Sequence, residues 1–260
     1  MSTQPVRSEA WGPSCRYRVE AAGRTHVGRR AHNEDAMLLD EELGVFVVAD
    51  GMGGYEGGEV ASQVVVETVR RFFADNAGDA ELTWPWGFEP GRSFVTNLLT
   101  VALRLANREV RARRRGRLAS MGATAVAAAV DGARVIVAHV GDSRVYRLRG
   151  GTLEPLTRDH SLREQLRALG AQEIPEGISH VITRAIGMGD EEEPDLRVES
   201  LAPGDTLLLC SDGLSDPLDD ARLRELLAHA DVEQAAEGLV RAAYAAGGTD
   251  NITALVIRFR

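Results

Sequence analysis

There is no lysine in this chain; all 30 of its basic residues are arginine. That absence removes every mechanism that runs through a Schiff base or a lysine nucleophile, and otherwise reads as coding bias. Cysteine is nearly as scarce. Cys15 and Cys210 are too few for a disulfide framework or a thiolate metal site. Cys210, inside the apolar run Thr206–Cys210, reads as a small buried hydrophobe. No apolar stretch approaches the roughly 20 residues needed to cross a bilayer, since runs such as Leu43–Ala49 and Ala123–Val130 stop far short. Met1–Ser14 is polar and lacks the apolar core of a signal peptide. No internal repeat or low-complexity linker is present. These absences predict a soluble, cytoplasmic chain: a loose tail over 1–16, then one domain over 17–260.

What is present is ordinary globular composition, 44% hydrophobic and 27% charged over 260 residues, enough for a core that needs no disulfides. A net charge of −9 argues against nucleic-acid binding. Nothing points to a membrane partner or to oligomerisation, so monomer is the default. Strand-like runs occur at Val45–Ala49, Thr206–Cys210 and Ile252–Phe259. Ala123–Val130, Val135–Val140 and Val145–Leu148, punctuated by Asp131-Gly132 and Gly141-Asp142, predict an antiparallel meander. Helical periodicity marks Glu59–Phe73 and Phe94–Arg115, with two more helices over Ala221–His229 and Val232–Ala246. The irregular connection Ala74–Arg92 carries Trp84, Trp86 and Phe88, for the core or for a peripheral surface. Meanders and helix pairs without βαβ alternation indicate an α+β fold, two antiparallel sheets covered by helix pairs.

Four acidic islands stand out: Arg30-Ala31-His32-Asn33-Glu34-Asp35, Ala49-Asp50-Gly51-Met52-Gly53-Gly54, Ser211-Asp212-Gly213 and Gly247-Gly248-Thr249-Asp250-Asn251. Each carboxylate sits where an apolar stretch meets a Gly-rich turn, so all can converge at strand ends. Taken singly, Asp50, Asp212 and Asp250 are ordinary turn residues. Taken together, Asp and Glu with little His make an oxygen-ligand site for Mg²⁺ or Mn²⁺. Gly51, lacking a side chain, lets its carbonyl approach a metal as well. Arg30 offers a planar fork to phosphate oxygens.

The order of these motifs, with Met121-Gly122-Ala123-Thr124, Val140-Gly141-Asp142-Ser143-Arg144, Asp159-His160-Ser161, Thr183-Arg184-Ala185-Ile186-Gly187 and Gly248-Thr249-Asp250-Asn251-Ile252-Thr253, resembles the bacterial branch of the type 2C metal-dependent Ser/Thr protein phosphatases. The match is collinear from about Thr25 to Thr253. The resemblance implies a four-layer α-β-β-α sandwich with Mn²⁺ or Mg²⁺ in a cleft at one end, two ions in the core site and a weaker third. In it, Asp50 bridges two metals, Gly51 gives its carbonyl, and Asp212 and Asp250 complete the second site. Glu34 acts directly or through water. Asp35 and Asn251 support the ligands, and Asp142 with Asp212 holds the third ion. Two cations about 3.5–4 Å apart share a water and depress its pKa, giving a hydroxide for in-line attack on phosphorus. The implied substrates are phosphoserine and phosphothreonine proteins, and the implied counterpart a Ser/Thr protein kinase.

Two departures matter. Gly28 to Arg30 is one residue shorter than the family spacing, so the strand there should carry a bulge or deletion. Met52 stands where eukaryotic relatives have a proton-donating His, leaving the leaving-group acid to metal-bound water, with His32 as an alternative and His160 as a packing residue. Ser161–His180 matches the family's flap and includes a short amphipathic helix over 162–170. Arg111–Arg117 holds five arginines, read as a solvated helix C-terminus stopped by Gly116, as a nucleic-acid patch, or as a dock for acidic phosphoprotein segments. Rival functions are a non-catalytic pseudophosphatase, a phosphatase dedicated to one regulatory protein, and a metal-dependent nuclease.

Overall fold

A computed structural model of the chain describes residues 15–54, 56–76, 84–171, 175, 178 and 181–260. All but the last two residues of the expected tail, and much of the second half of the expected flap, lie outside them. In chain order the elements are β1 Val19–His26, β2 Asp35–Asp40, β3 Val45–Met52, α1 Gly57–Asn76, α2 Phe94–Arg113, β4 Gly122–Ala123, β5 Ala125–Asp131, β6 Arg134–Val140, β7 Arg144–Arg149 and β8 Thr152–Pro155. They continue with α3 Leu162–Ala168, β9 Asp195–Ser200, β10 Thr206–Cys210, α4 Asp212–Ser215, α5 Asp220–Leu227, α6 Val232–Ala245 and β11 Ile252–Phe259.

The strands form two antiparallel sheets, ordered β1-β11-β10-β7-β8 and β2-β3-β5-β6-β9, with β4 appended to β3. The side-chain period of two in β3 shows how the layers stack. Val45, Val47 and Ala49 point into a core shared with Val65, Val69 and Phe73 of α1 and Leu99 and Leu103 of α2. Phe46 and Val48 point the other way, between the sheets, against Leu207, Leu209, Leu255 and Ile257. On the far side Leu208, Ala254 and Val256 pack under Leu223, Leu227 and Leu239 of α5 and α6. A strand buried on both faces has no polar alternation, which is why β3 and β11 read as continuous apolar runs. Truncating a residue such as Phe46, fully buried between the sheets, would cost about 3–5 kcal/mol. The four-layer α+β sandwich is therefore as expected.

The expected meander breaks at its third strand. β5 and β6 pair with each other, but β7 pairs with β8 and β10 in the opposite sheet. Gly141, at φ +106°, turns the chain where a Cβ would crowd the Thr124 side chain at 2.6 Å. The turn that changes sheets carries Asp142 and Ser143 into the gap between them. Helix α2 stops at Arg113 rather than Arg115, because the chain turns at Gly116 (φ +57°) into a single 3₁₀ turn. Of the aromatics before α2, Trp84 packs on the core, 5.3 Å from the ring of Phe88 and 5.5 Å from that of Phe94. Trp86 stays exposed beneath the guanidinium groups of Arg104 and Arg108. No described helix is long and apolar enough to cross a membrane.

Candidate active site

Strand register sets the centre of the site. Asp35 at the start of β2 lies directly across from Asp50 near the end of β3. On its other flank β3 is pinned by Thr124: the Asp50 amide donates to Thr124 Oγ1 (3.1 Å) and the Thr124 amide donates to the Asp50 carbonyl (2.8 Å). Thr124 Oγ1 lies 2.7 Å from Ser143 Oγ, which ties the Asp142 turn to the same strand end. Asp212 enters at the first turn of α4, immediately after β10. Its carboxylate joins that of Asp50 in one group of interacting acids.

Asp35 is held from behind. Its Oδ2 accepts hydrogen bonds from Thr253 Oγ1 (2.6 Å) and Ser211 Oγ (2.8 Å). Ser211 Oγ also accepts from the Thr253 amide at 3.0 Å. Asn251 organises the loop that carries Glu34. Its Oδ1 accepts from the Glu34 amide at 2.7 Å, and its Nδ2 donates to the carbonyls of Val27 and His32, both at 2.9 Å. Gly51 and Gly58 pass so closely that a Cβ on Gly51 would run into the Gly58 carbonyl, and a Cβ on Gly58 would lie 2.5 Å from Glu34 Oε1. Glycine at both positions is what lets the α1 N-terminus, the Glu34 side chain and the end of β3 share one place.

The electrostatics are those of anions crowded together. Burial, then the charges of Asp35, Asp212, Asp142 and Asp250, hold the Asp50 carboxyl well above the ordinary carboxylate range. Burial pushes Asp35 up to about 7 in spite of its two hydroxyl donors, and Asp212 and Asp250 add to the rise. Asp142 is pushed to about 7 by burial and by its neighbours Asp212 and Asp159. Asp212 is raised by burial, Asp216 and Asp250, and Glu34 mainly by burial.

One oxygen on each of Asp35, Asp142 and Asp212 is buried without a hydrogen-bond partner. Buried anionic oxygens with no donor are costly unless a cation satisfies them. An all-oxygen, self-repelling set of carboxylates fits hard divalent ions such as Mg²⁺ or Mn²⁺. A different grouping, His139, His160 and Asp195, also brings three possible ligand atoms within 4.8 Å of one another. There the positive charge is already supplied: Arg184 donates to Asp195 Oδ1 (2.6 Å) and lies 3.0 Å from His160 Nε2, and His139 Nε2 is bonded to the Arg158 carbonyl. The orphaned oxygens belong to the aspartate cluster instead.

The remaining expected residues divide. Asp250 is near the cluster, but its carboxylate accepts from Arg30 Nη2 (2.7 Å) and from the Asn251 amide (2.8 Å). Arg30 Nε donates to the Thr249 carbonyl at 3.2 Å, and the side chain remains half exposed at the rim. The shortened spacing before Arg30 does not fall in a strand. β1 ends at His26, and Arg29 and Arg30 lie in a turn whose amides bond the carbonyls of Gly248 and Val27. His32 is exposed on the same loop. His160 accepts from the Gly141 amide at 3.1 Å and stacks on His139, so it packs beneath the Asp142 turn. Sequence reasoning gave no role to Ser211, Thr253, Thr124 or Ser143. All four lie in or next to the motif segments, and hydroxyls flanking the acidic positions were the available signal.

Comparisons with known proteins agree with this geometry. The family model for protein phosphatase 2C matches residues 22–242. The serine/threonine protein phosphatase PstP of Mycobacterium tuberculosis is 36% identical over 233 residues, 87% of this chain. This chain spans only 42% of that relative's length. The serine/threonine phosphatase stp of Listeria monocytogenes is 33% identical over 252 residues, covering 92% of this chain and 95% of the relative. Among solved structures, the catalytic domain of PstP in complex with two manganese ions superimposes with a TM-score of 0.79 at 35% identity, covering 93% of this chain and 98% of that one. PppA, a regulatory component of the type VI secretion system in Pseudomonas aeruginosa, gives 0.76 at 36% identity, with coverage of 93% and 98%. With its sandwich, its cluster of carboxylates and these relatives, the chain belongs to the protein phosphatase 2C family.

Proposed function

We infer that this chain is a metal-dependent protein phosphatase that hydrolyses phosphoserine and phosphothreonine on proteins. The observation that carries the reading is the placing of Asp35 opposite Asp50 at one strand end, with buried oxygens left unbonded on Asp35, Asp142 and Asp212. Asp50, the Gly51 carbonyl, Asp212 and Asp250 would hold two core ions, Glu34 would act directly or through water, and Asp142 with Asp212 would take a third. Bound cations of this kind lower the pKa of a coordinated water towards neutrality and neutralise phosphate charge.

The chain's own residues do the positioning. Ser211 and Thr253 fix Asp35 beside Asp50, Thr124 fixes the backbone of Asp50, and Asn251 places Glu34. Arg30, at the exposed rim beside Asp250, orients the phosphate with the part of its fork that Thr249 and Asp250 leave open. In the cell its counterpart is the Ser/Thr kinase that makes its substrates, and its place is the cytoplasm. A pseudophosphatase would be expected to lack one of the ligand carboxylates, and here all are present. The test is phosphate release from a phosphothreonine peptide with Mn²⁺ and with EDTA. The reading predicts release only with the metal, and loss of it in folded Asp212→Asn. Undiminished release in EDTA contradicts it.

A further inference from the structure

The arginine-rich segment after α2 has a place in this fold that its composition does not reveal. Two of its five arginines are anchored. Arg111 pairs with Asp190, and Arg114 donates to the carbonyls of Gly187 and Ala119. Arg113, Arg115 and Arg117 are exposed, and their side chains have no hydrogen bond or ion pair among the described residues. The acidic run nearby does not neutralise them: Asp190, Glu192 and Glu193 are taken by Arg111, Arg184 and Arg104, and Glu191 makes no ion pair with Arg113, Arg115 or Arg117 among the described residues. Three uncompensated cations thus sit together on a chain of net charge −9.

The segment also leads directly to the strand end that carries Asp50. It runs through Ser120 and Met121 into β4, whose Gly122 and Ala123 pair with Met52 and Gly51 at the end of β3, next to Asp50. The contact is tight: a Cβ on Gly53 would lie 2.6 Å from Met121 Cα and 2.7 Å from the Ser120 carbonyl. The anchored pair, Arg111 and Arg114, fastens this segment to the 187–190 loop, whose Met188 lies exposed beside Gly122. The result is a braced cationic rim within a few residues of the strand end that carries Asp50.

We propose that Arg113, Arg115 and Arg117 form a docking platform for acidic residues flanking the phosphorylated side chain, so that this enzyme selects phosphoproteins whose site lies in an acidic sequence. The proposal rests on the phosphatase reading for its substrate class, and on charge complementarity for its occupant. Exposed cations of this kind act mainly on encounter and on binding of the flanks, and leave the reacting centre untouched.

The test uses two phosphothreonine peptides of equal length, one with Asp and Glu around the phosphothreonine and one with Asn and Gln. Binding by fluorescence anisotropy and phosphate release are followed in parallel on the Mn²⁺-loaded protein, with p-nitrophenyl phosphate as a substrate too small to reach the platform. The parent should bind the acidic peptide about tenfold more tightly at low salt, and the preference should shrink as salt screens it. The triple variant R113S/R115S/R117S should lose the preference through KM, with kcat and p-nitrophenyl phosphate turnover unchanged. The triple Arg→Lys variant should keep it, because charge and not fork geometry is what the platform supplies. Equal binding of both peptides by the parent, or a preference that survives the Ser variant, overturns the proposal. Selective binding lost in the Ser variant, with no phosphate release from any of the three substrates, leaves the platform standing and removes the phosphatase reading instead.

Discussion

Asp35 and Asp50 face each other across β2 and β3, a pair of like charges at directly opposed positions. Such a pairing destabilises a sheet, and here Asp142, Asp212 and Asp250 add to it. The metal-free fold therefore carries a strain that bound cations relieve. Asp50→Asn should raise the stability of the EDTA-treated protein by about 1–2 kcal/mol and abolish the stabilisation that Mn²⁺ gives the parent. Thermal melts of both proteins, with EDTA and with Mn²⁺, check both halves.

The same repulsion fixes a pH dependence. Asp35 and Asp142 have carboxyls near pH 7 in the fold, against about 3.9 in an unfolded chain. Groups raised on folding favour the native state below about pH 4, and that contribution is lost as pH rises through 7. Cations compete with the same protons, so the Mn²⁺-induced rise in melting temperature should grow from pH 5 to pH 8. A rise that is constant or shrinks over that range contradicts the assignment.

His160 works in the opposite direction. Burial first, then the charges of His139 and Arg184, lower its pKa to about 4. A base whose pKa falls on folding contributes stability above its unfolded value, about 6.5, and loses it as pH falls through 4. The His160→Gln variant should therefore lose less stability than the parent between pH 6.5 and 4, measured as the difference between paired urea unfolding curves. A parent curve with the flatter acid slope would show that His160 is not held neutral.

The hydroxyls behind Asp35 are expected to matter as much as some ligands. Thr253→Val keeps the volume but removes the 2.6 Å hydrogen bond to Asp35 Oδ2. Loss of an outer partner of a metal site typically weakens affinity about 10–100-fold. Calorimetric Mn²⁺ titrations of parent and variant give the comparison, and unchanged affinity would remove Asp35 from the site.

Much of this was readable in the residues. The runs that became β3, β10 and β11 and the four longest helices have periodicity or apolarity strong enough to show, and the acidic islands mark the strand ends by their glycines. β1 and β2 were not legible, because Val19–His26 and Asp35–Asp40 are partly exposed, with mixed polarity. The switch of β7 to the other sheet was invisible, since Gly141-Asp142 makes an equally good hairpin signal. Pairing choices across 50 or more residues, such as β7 with β10, leave no local trace. Nor does local sequence say that Ser211 and Thr253 would meet the same carboxylate oxygen.

The most direct test is a titration of Mn²⁺ into the metal-free protein, following metal bound and phosphate released from a phosphothreonine peptide in the same samples. The account predicts that release begins only as the core sites fill, reaches its maximum once at least two ions are bound per chain, and is absent in Asp50→Asn at every metal concentration. Phosphate release that is already maximal before any ion binds, or that persists in folded Asp50→Asn, would contradict it.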